Sequence, residues 1–166
     1  FNYSLNTNVE KIIRSNQQIK IINNHEERTY DYLVIATHAD QALQLIQNPT
    51  EDEKNILSSF IYTTNKAYLH SDPTMMPKNK KTWSSWNFIK NFENDKNFTL
   101  TYWMNNLQKL ETNKDYFVTI NPKEIPKNIY DETIFTHPKF DLKTTESQSK
   151  LKKLQGVKNT FFCGVF

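Results

Sequence analysis

Only two glycines, Gly156 and Gly164, occur in the 166 residues of this chain, against ordinary usage of roughly 7%. Loops that wrap a pyrophosphate need glycine, because a Cβ blocks close approach of the backbone. Neither G-x-G-x-x-G nor G-x-x-x-x-G-K-[ST] occurs. The chain therefore carries no phosphate-binding loop of its own.

Other chemistries are excluded as directly. One cysteine, Cys163, allows no internal disulfide and no cysteine-based zinc site. His25, His38, His70 and His137 are scattered without metal-ligand spacing, so no metal is expected. A net charge of +3 is too mild for a nucleic-acid surface, and the basic stretch Lys78-Asn79-Lys80-Lys81 reads as a solvated loop. No apolar run approaches the roughly 18 residues of a membrane span. Peripheral membrane contact stays possible, and the single cysteine fits a reducing, cytoplasmic setting. The start, Phe1-Asn2-Tyr3-Ser4, lacks the basic and apolar parts of a signal peptide. Phe161-Phe162-Cys163-Gly164-Val165-Phe166 reads as a buried strand cut at its tip. Both ends are read as those of a fragment.

Hydrophobic periodicity predicts strands over Val9 to Arg14, Gln18 to Ile22 and Arg28 to Tyr30. Turns are expected at Ser15-Asn16-Gln17 and from Asn23 to Glu27. Tyr32-Leu33-Val34-Ile35-Ala36 has the pattern of a strand buried on both faces of a parallel sheet. Helices are predicted from Asp40 to Gln47 and from Glu51 to Ser58, the second opened by Thr50 with Glu53 as its capping-box partner. Strands are then expected over Ile61 to Ser71, Thr82 to Ile89, Phe98 to Met104, Asp115 to Ile120 and Thr133 to Thr136. A helix over Thr144 to Leu154 and a strand over Thr160 to Cys163 close the chain. In Phe98 to Met104 the alternation assigns Phe98, Leu100, Tyr102 and Met104 to one face and Thr99, Thr101 and Trp103 to the other, as in an antiparallel sheet with two unlike faces. The fold class is thus mixed, α/β and α+β. Its expected divisions are 1–59, an antiparallel sheet in 60–154, and a strand of the first domain returning in 155–166.

The run Tyr30-Asp31-Tyr32-Leu33-Val34-Ile35-Ala36-Thr37-His38-Ala39-Asp40-Gln41-Ala42-Leu43 resembles the bacterial NAD/FAD-binding proteins of the flavin amine oxidase superfamily. Tyr62 to Asp72, Met76-Pro77, Trp83-Ser84-Ser85-Trp86-Asn87, Thr101 to Gln108, Tyr116 to Pro122 and Phe161 to Gly164 match in the same order. The resemblance implies FAD as cofactor, a partial Rossmann-like portion of the GR2 type, and a substrate-facing antiparallel sheet over the flavin. In such proteins one Gly-rich turn near the start grips the pyrophosphate and another follows the final strand. Here the first is absent and the second breaks off after Gly164.

The same resemblance sets the residue-level expectations. Val9 begins the segment that lies beside the adenine, or is an ordinary strand residue. Ala36 and Thr37 end a parallel strand, where cofactors sit, although Thr37 also suits a helix N-cap. Cys163 and Gly164 end the returning strand, with Cys163 read as buried and inert. Lys66, after Asn65, stands where some superfamily members hold a water near flavin N5. A surface lysine is the plainer reading. Trp83, Trp86 and Trp103 suit the walls of a substrate cavity, or a core, and Asn87 and Asn105 could anchor polar groups. His38 and His70 are read as packed or capping histidines, or as proton shuttles. No nucleophile, base and orienting residue come together, which agrees with chemistry carried by a cofactor. The function implied is an FAD-dependent oxidoreductase taking hydride from a small-molecule amine or modified fatty-acyl substrate. The rival is a non-catalytic module that binds a hydrophobic ligand or a protein without flavin.

Overall fold

The computed structural model describes residues 2–15, 18–23, 26–90 and 98–164. The residues expected to turn at Asn16-Gln17 and Asn24-His25, and the tip Val165-Phe166, lie outside them. The chain divides into two compact units, Phe1–Tyr62 with Pro138–Phe166, and Thr63–His137.

The first unit opens with an antiparallel sheet of β1 (Val9–Arg14), β2 (Ile19–Asn23) and β3 (Glu27–Tyr30), in that order. Its β-branched residues suit a half-buried pleated surface, and Ile12 lies opposite Ile21. β4 (Leu33–Ile35) follows, then α1 (Ala39–Leu45) and α2 (Glu51–Leu57). The capping box predicted for α2 is present: the Thr50 hydroxyl accepts from the Glu53 N–H at 3.2 Å, and the Glu53 carboxylate accepts from the Thr50 N–H at 2.7 Å. α4 (Leu142–Lys150) begins two residues before its predicted start, because Asp141 caps it by accepting from the Thr144 N–H at 2.9 Å. Its predicted last turn is a separate 3-10 segment, Leu151–Lys153. Gly156 then turns the chain at φ 81°, a conformation costly for any side chain. It delivers β10 (Thr160–Phe162) beside β4 in parallel, with Phe161 opposite Val34.

The core of this unit joins Ile12, Ile19, Ile35, Ile56, Leu57 and Phe162 with their smaller neighbours. One ionic pair lies inside it. Arg14 donates two hydrogen bonds to Glu53, at 2.6 and 2.7 Å, with both side chains almost fully buried. The expectation that β4 is buried on both faces fails, since Val34 is 59% exposed. Two strands alone cannot make the covered interior that larger parallel sheets have.

The second unit is a five-stranded sheet in the order β6-β7-β8-β5-β9. The strands are β5 (Tyr62–His70), β6 (Trp86–Lys90), β7 (Phe98–Trp103), β8 (Phe117–Ile120) and β9 (Ile129–Pro138). β6 starts four residues later than predicted, because Lys80–Thr82 form a 3-10 turn and Asn87 bonds back to the main chain of Ser84. β7 stops at Trp103, and Met104–Gln108 wind into the short helix α3. Met104 therefore leaves the face assigned to it. The alternation along β7 holds, but the exposure of its two faces is the reverse of ordinary patterning. Thr101 is fully buried, while Leu100 and Tyr102 are only partly covered.

Candidate functional site

In the first unit, β4 and β10 run parallel, so their carboxyl ends open at the same edge. Ala36 and Thr37 leave one end, and Cys163 and Gly164 leave the other. The Cys163 N–H donates to the Ile35 carbonyl at 3.0 Å, which ties the two ends together. Cys163 is exposed rather than buried: β10 ends at Phe162, and the next side chain emerges from the sheet. Thr37 is not the N-cap of α1. That position is taken by His38, whose N–H is held by the Gln41 side chain at 3.2 Å. Thr37 instead donates to the His38 carbonyl at 3.2 Å. The His38 ring stacks on Tyr62 at 4.3 Å, and the Tyr62 hydroxyl accepts the Ala39 N–H at 2.8 Å. The turn leaving β4 is thus fixed on both sides.

The outer edge of β10 is closed. The Gln155 amide donates to the Phe162 carbonyl at 3.1 Å and accepts its N–H at 3.0 Å, as a neighbouring strand would. Among the described residues, β4 has a strand on one side only. Val9 stands apart from these strand ends, on the antiparallel sheet opposite Asn23. It lines an open cavity of about 670 Å³ with Asn23, Arg28 and Tyr30.

In the second unit, Lys66 forms an ion pair with Glu132 at 3.1 Å and lies over the Tyr68 ring at 5.0 Å. Bonding to the Tyr68 hydroxyl first, and to Glu132 next, holds its ammonium above the usual lysine range. Asn65 accepts from the Asn121 amide at 2.8 Å. Asn121 also binds the main-chain N–H of Lys66 through its side chain, at 2.9 Å, so Asn121 sets the chain path at Asn65 and Lys66.

The side of the sheet holding Thr101 and Thr119 is covered. Asn87 bonds there to the carbonyls of Ser84 and Thr101. The Trp103 indole N–H donates to Asp115 at 2.9 Å, and the ring meets the Trp83 ring edge-on at 5.4 Å. His70 is fully buried. Its Nδ1 accepts the Asp72 N–H at 3.0 Å, so the ring proton sits on Nε2, which donates to Thr119 at 2.7 Å. Thr119 in turn meets Thr101 at 3.0 Å. Burial pushes the His70 pKa down, against the opposing pull of Asp72. Trp86 lies on the other side of the sheet, edge-on to Tyr102 at 5.5 Å, 62% exposed.

The structure thus brings Ala36, Thr37, Cys163 and Gly164 together. It leaves Val9 on a separate sheet and puts Trp86 on the opposite side from Asn87 and Trp103. Sequence reasoning missed Glu132, Asn121 and Asp115, the partners of Lys66, Asn65 and Trp103. All three act across strands, and no local spacing signals them. Among the described residues no group of His, Cys, Asp and Glu is placed to hold a metal ion, and no helix is long and apolar enough to cross a membrane.

In fold, the chain is similar to a fatty acid isomerase from P. acnes that produces CLA, with a TM-score of 0.63 at 14% identity, over 96% of this chain and 42% of that one. It is similar also to a putrescine oxidase bound to putrescine, with a TM-score of 0.56 at 8% identity, over 96% and 42%. The cyclohexylamine oxidase of Brevibacterium oxydans IH-35A gives a TM-score of 0.54 at 8% identity, over 95% and 42%. The chain spans about two fifths of the length of these structures. No protein-family model matches the sequence, and no curated protein matches it at a significant level.

Proposed function

We propose that these residues are part of an FAD-dependent, amine oxidase-like oxidoreductase that takes hydride from an amine or a modified fatty-acyl substrate. The observation that carries this reading is the parallel pairing of β4 with β10. It joins the carboxyl ends of two strands from opposite ends of the sequence, in a fold shared with two amine oxidases and a fatty acid isomerase.

The residues at those ends fit such a cofactor. Ala36, Cys163 and Gly164 are small and leave room for a flat ring system to approach the strand tips, and the single-sided β4 accepts a further parallel strand. The glycines that grip a pyrophosphate are not among these 166 residues, and we assign them to additional chain of the GR2 type. Val9 takes the adenine side. Bound FAD supplies the hydride acceptor. Of this chain's own groups, Lys66 is a charged donor able to hold a water at the sheet, Glu132 pairs with it at 3.1 Å, and Asn121 fixes Asn65 beside it. Trp103 and Asn87 line the same side of the sheet as Lys66.

Produced from its complete reading frame, the protein is expected to show oxidised-flavin absorbance. An amine such as putrescine, or an acyl substrate, should bleach that absorbance anaerobically. A colourless protein that takes up no added FAD overturns the reading.

A further inference from the structure

One ammonium group of the second unit sits between two indoles and a carboxylate. Lys80 Nζ lies over the Trp83 ring at 4.9 Å and over the Trp103 ring at 6.0 Å, and it pairs with the Asp115 carboxylate at 3.0 Å. The two indoles meet at an interplanar angle of 82°, so they form two walls of a corner, and Asp115 forms a third. Ring faces attract a cation, and a carboxylate accepts its N–H groups. The walls do not need the lysine. The Trp83 indole N–H donates to the Pro77 carbonyl at 2.8 Å, and the Trp103 indole N–H donates to the other Asp115 oxygen at 2.9 Å. A site whose walls are fixed in advance loses little freedom on binding.

The occupant, by contrast, is loosely held. The Lys80 side chain is 66% exposed and hangs from a short 3-10 turn, and exposed ion pairs and cation–ring contacts contribute little after side-chain entropy and screening. An external ammonium offers the same charge and the same N–H donors, so the corner can exchange one for the other. Asp115 favours a primary ammonium over a quaternary one, which has no N–H to donate. The corner is also separate from Lys66. Trp103 lies opposite Phe117, and Phe117 opposite His70. Lys66 is a further four residues along β5 from His70, roughly 17 Å from Trp103 at ordinary strand spacings.

We propose that Trp83, Trp103 and Asp115 form a binding site for the primary ammonium group of an organic amine, with Lys80 as its resident stand-in and competitor. The protein produced from its complete reading frame can be titrated with hexylamine by calorimetry. Lys80→Ala should tighten the Kd about tenfold, because a tethered group competes at an effective concentration in the millimolar range. Adding Asp115→Asn, which keeps an oxygen for the Trp103 N–H, should reverse that gain, with circular dichroism unchanged. Against Lys80→Ala, hexyltrimethylammonium should bind several-fold more weakly than hexylamine, and hexanoate should not bind. Equal hexylamine affinity in wild type and Lys80→Ala, a gain that survives Asp115→Asn, or either control binding as tightly as hexylamine would each overturn the proposal. Binding that follows these variants stands whether or not the protein takes up FAD, so the site and the flavin reading fail separately.

Discussion

The two units bury different mixtures of side chains. The first has an apolar interior crossed by one ionic pair, Arg14–Glu53. The second packs Phe117, Tyr68 and Met76 together with His70, Asn87, Thr101 and Thr119, while Trp86, Phe88 and Phe135 face outward. The first unit's stability comes mainly from hydrophobic burial. The second adds to the burial of Phe117, Tyr68 and Met76 a chain of hydrogen bonds, each of modest net worth when made and expensive when broken. Ordinary patterning is diagnostic of a self-contained core. In the second unit that patterning is reversed along β7.

The largest way to break the comparison lies in the first unit. Glu53→Ala strands a buried guanidinium, and removing one partner of a buried pair costs about 3–5 kcal/mol. Replacing both partners, Arg14→Met with Glu53→Leu, should return most of that loss. All three tryptophans, Trp83, Trp86 and Trp103, lie in the second unit. In urea titrations Glu53→Ala is therefore expected to move the circular dichroism transition far more than the tryptophan fluorescence transition. Equal shifts would show that the two units do not differ in the way their interiors suggest.

Next comes the hydrogen-bond chain. Thr119→Val keeps the shape but leaves the His70 Nε2–H without an acceptor, at a cost of about 1–3 kcal/mol. This time the fluorescence transition should move first. An unchanged fluorescence midpoint would mean that the chain of bonds contributes nothing.

Neither interior was equally legible in the sequence. Thr50 and Glu53 announced the start of α2 because a capping box is local, three residues apart. The same Glu53 gave no hint of Arg14, 39 positions away. The two faces of β7 were readable from alternation, but alternation does not say which face is covered. That depends on the Trp83 segment folding over Trp103 and Phe117. The turn into α3 at Met104 was hidden, because its apolar side chain continued the strand pattern by one more step. At the candidate site, the strand ends Ala36-Thr37 and Cys163-Gly164 were named one by one, but their adjacency is a property of topology. The exposure of Val34 and Cys163 followed from a sheet of only two strands, which no run of apolar residues discloses.

A smaller effect comes with pH. The His70 pKa is lowered in the folded chain by burial, so the unfolded chain takes up a proton that the folded one refuses. The stability so gained is complete well above the ordinary value of 6.5. It is lost as pH falls through that value toward the lower folded pKa, at up to about 1.4 kcal/mol per pH unit. Asp72, whose pKa is lowered, acts in a separate window: burial raises it, but the N–H groups of Lys127 and Thr74 and the Thr74 hydroxyl outweigh that. Its contribution disappears only as pH falls through 3.8 and below. Fluorescence-detected denaturation between pH 5 and 8 should therefore slope in the wild type and flatten in His70→Gln. A slope that survives the substitution assigns the effect to another group.

The smallest structural effect is expected at Lys66, and its smallness makes the position informative. Lys66 and Glu132 are each about half exposed, and an exposed pair gains little after side-chain entropy and screening by salt. Lys66→Met should therefore leave both unfolding midpoints where they are. If the lysine positions a water for the flavin, the same substitution in the flavin-loaded protein slows reoxidation of reduced flavin by oxygen while substrate still bleaches it. Lys66→Arg, which retains the charge but not the compact ammonium, should recover only part of the rate. Unchanged stability with unchanged reoxidation would reduce Lys66 to the surface lysine that its sequence context equally allows, and would leave the covered side of the sheet with no assigned chemistry at this position.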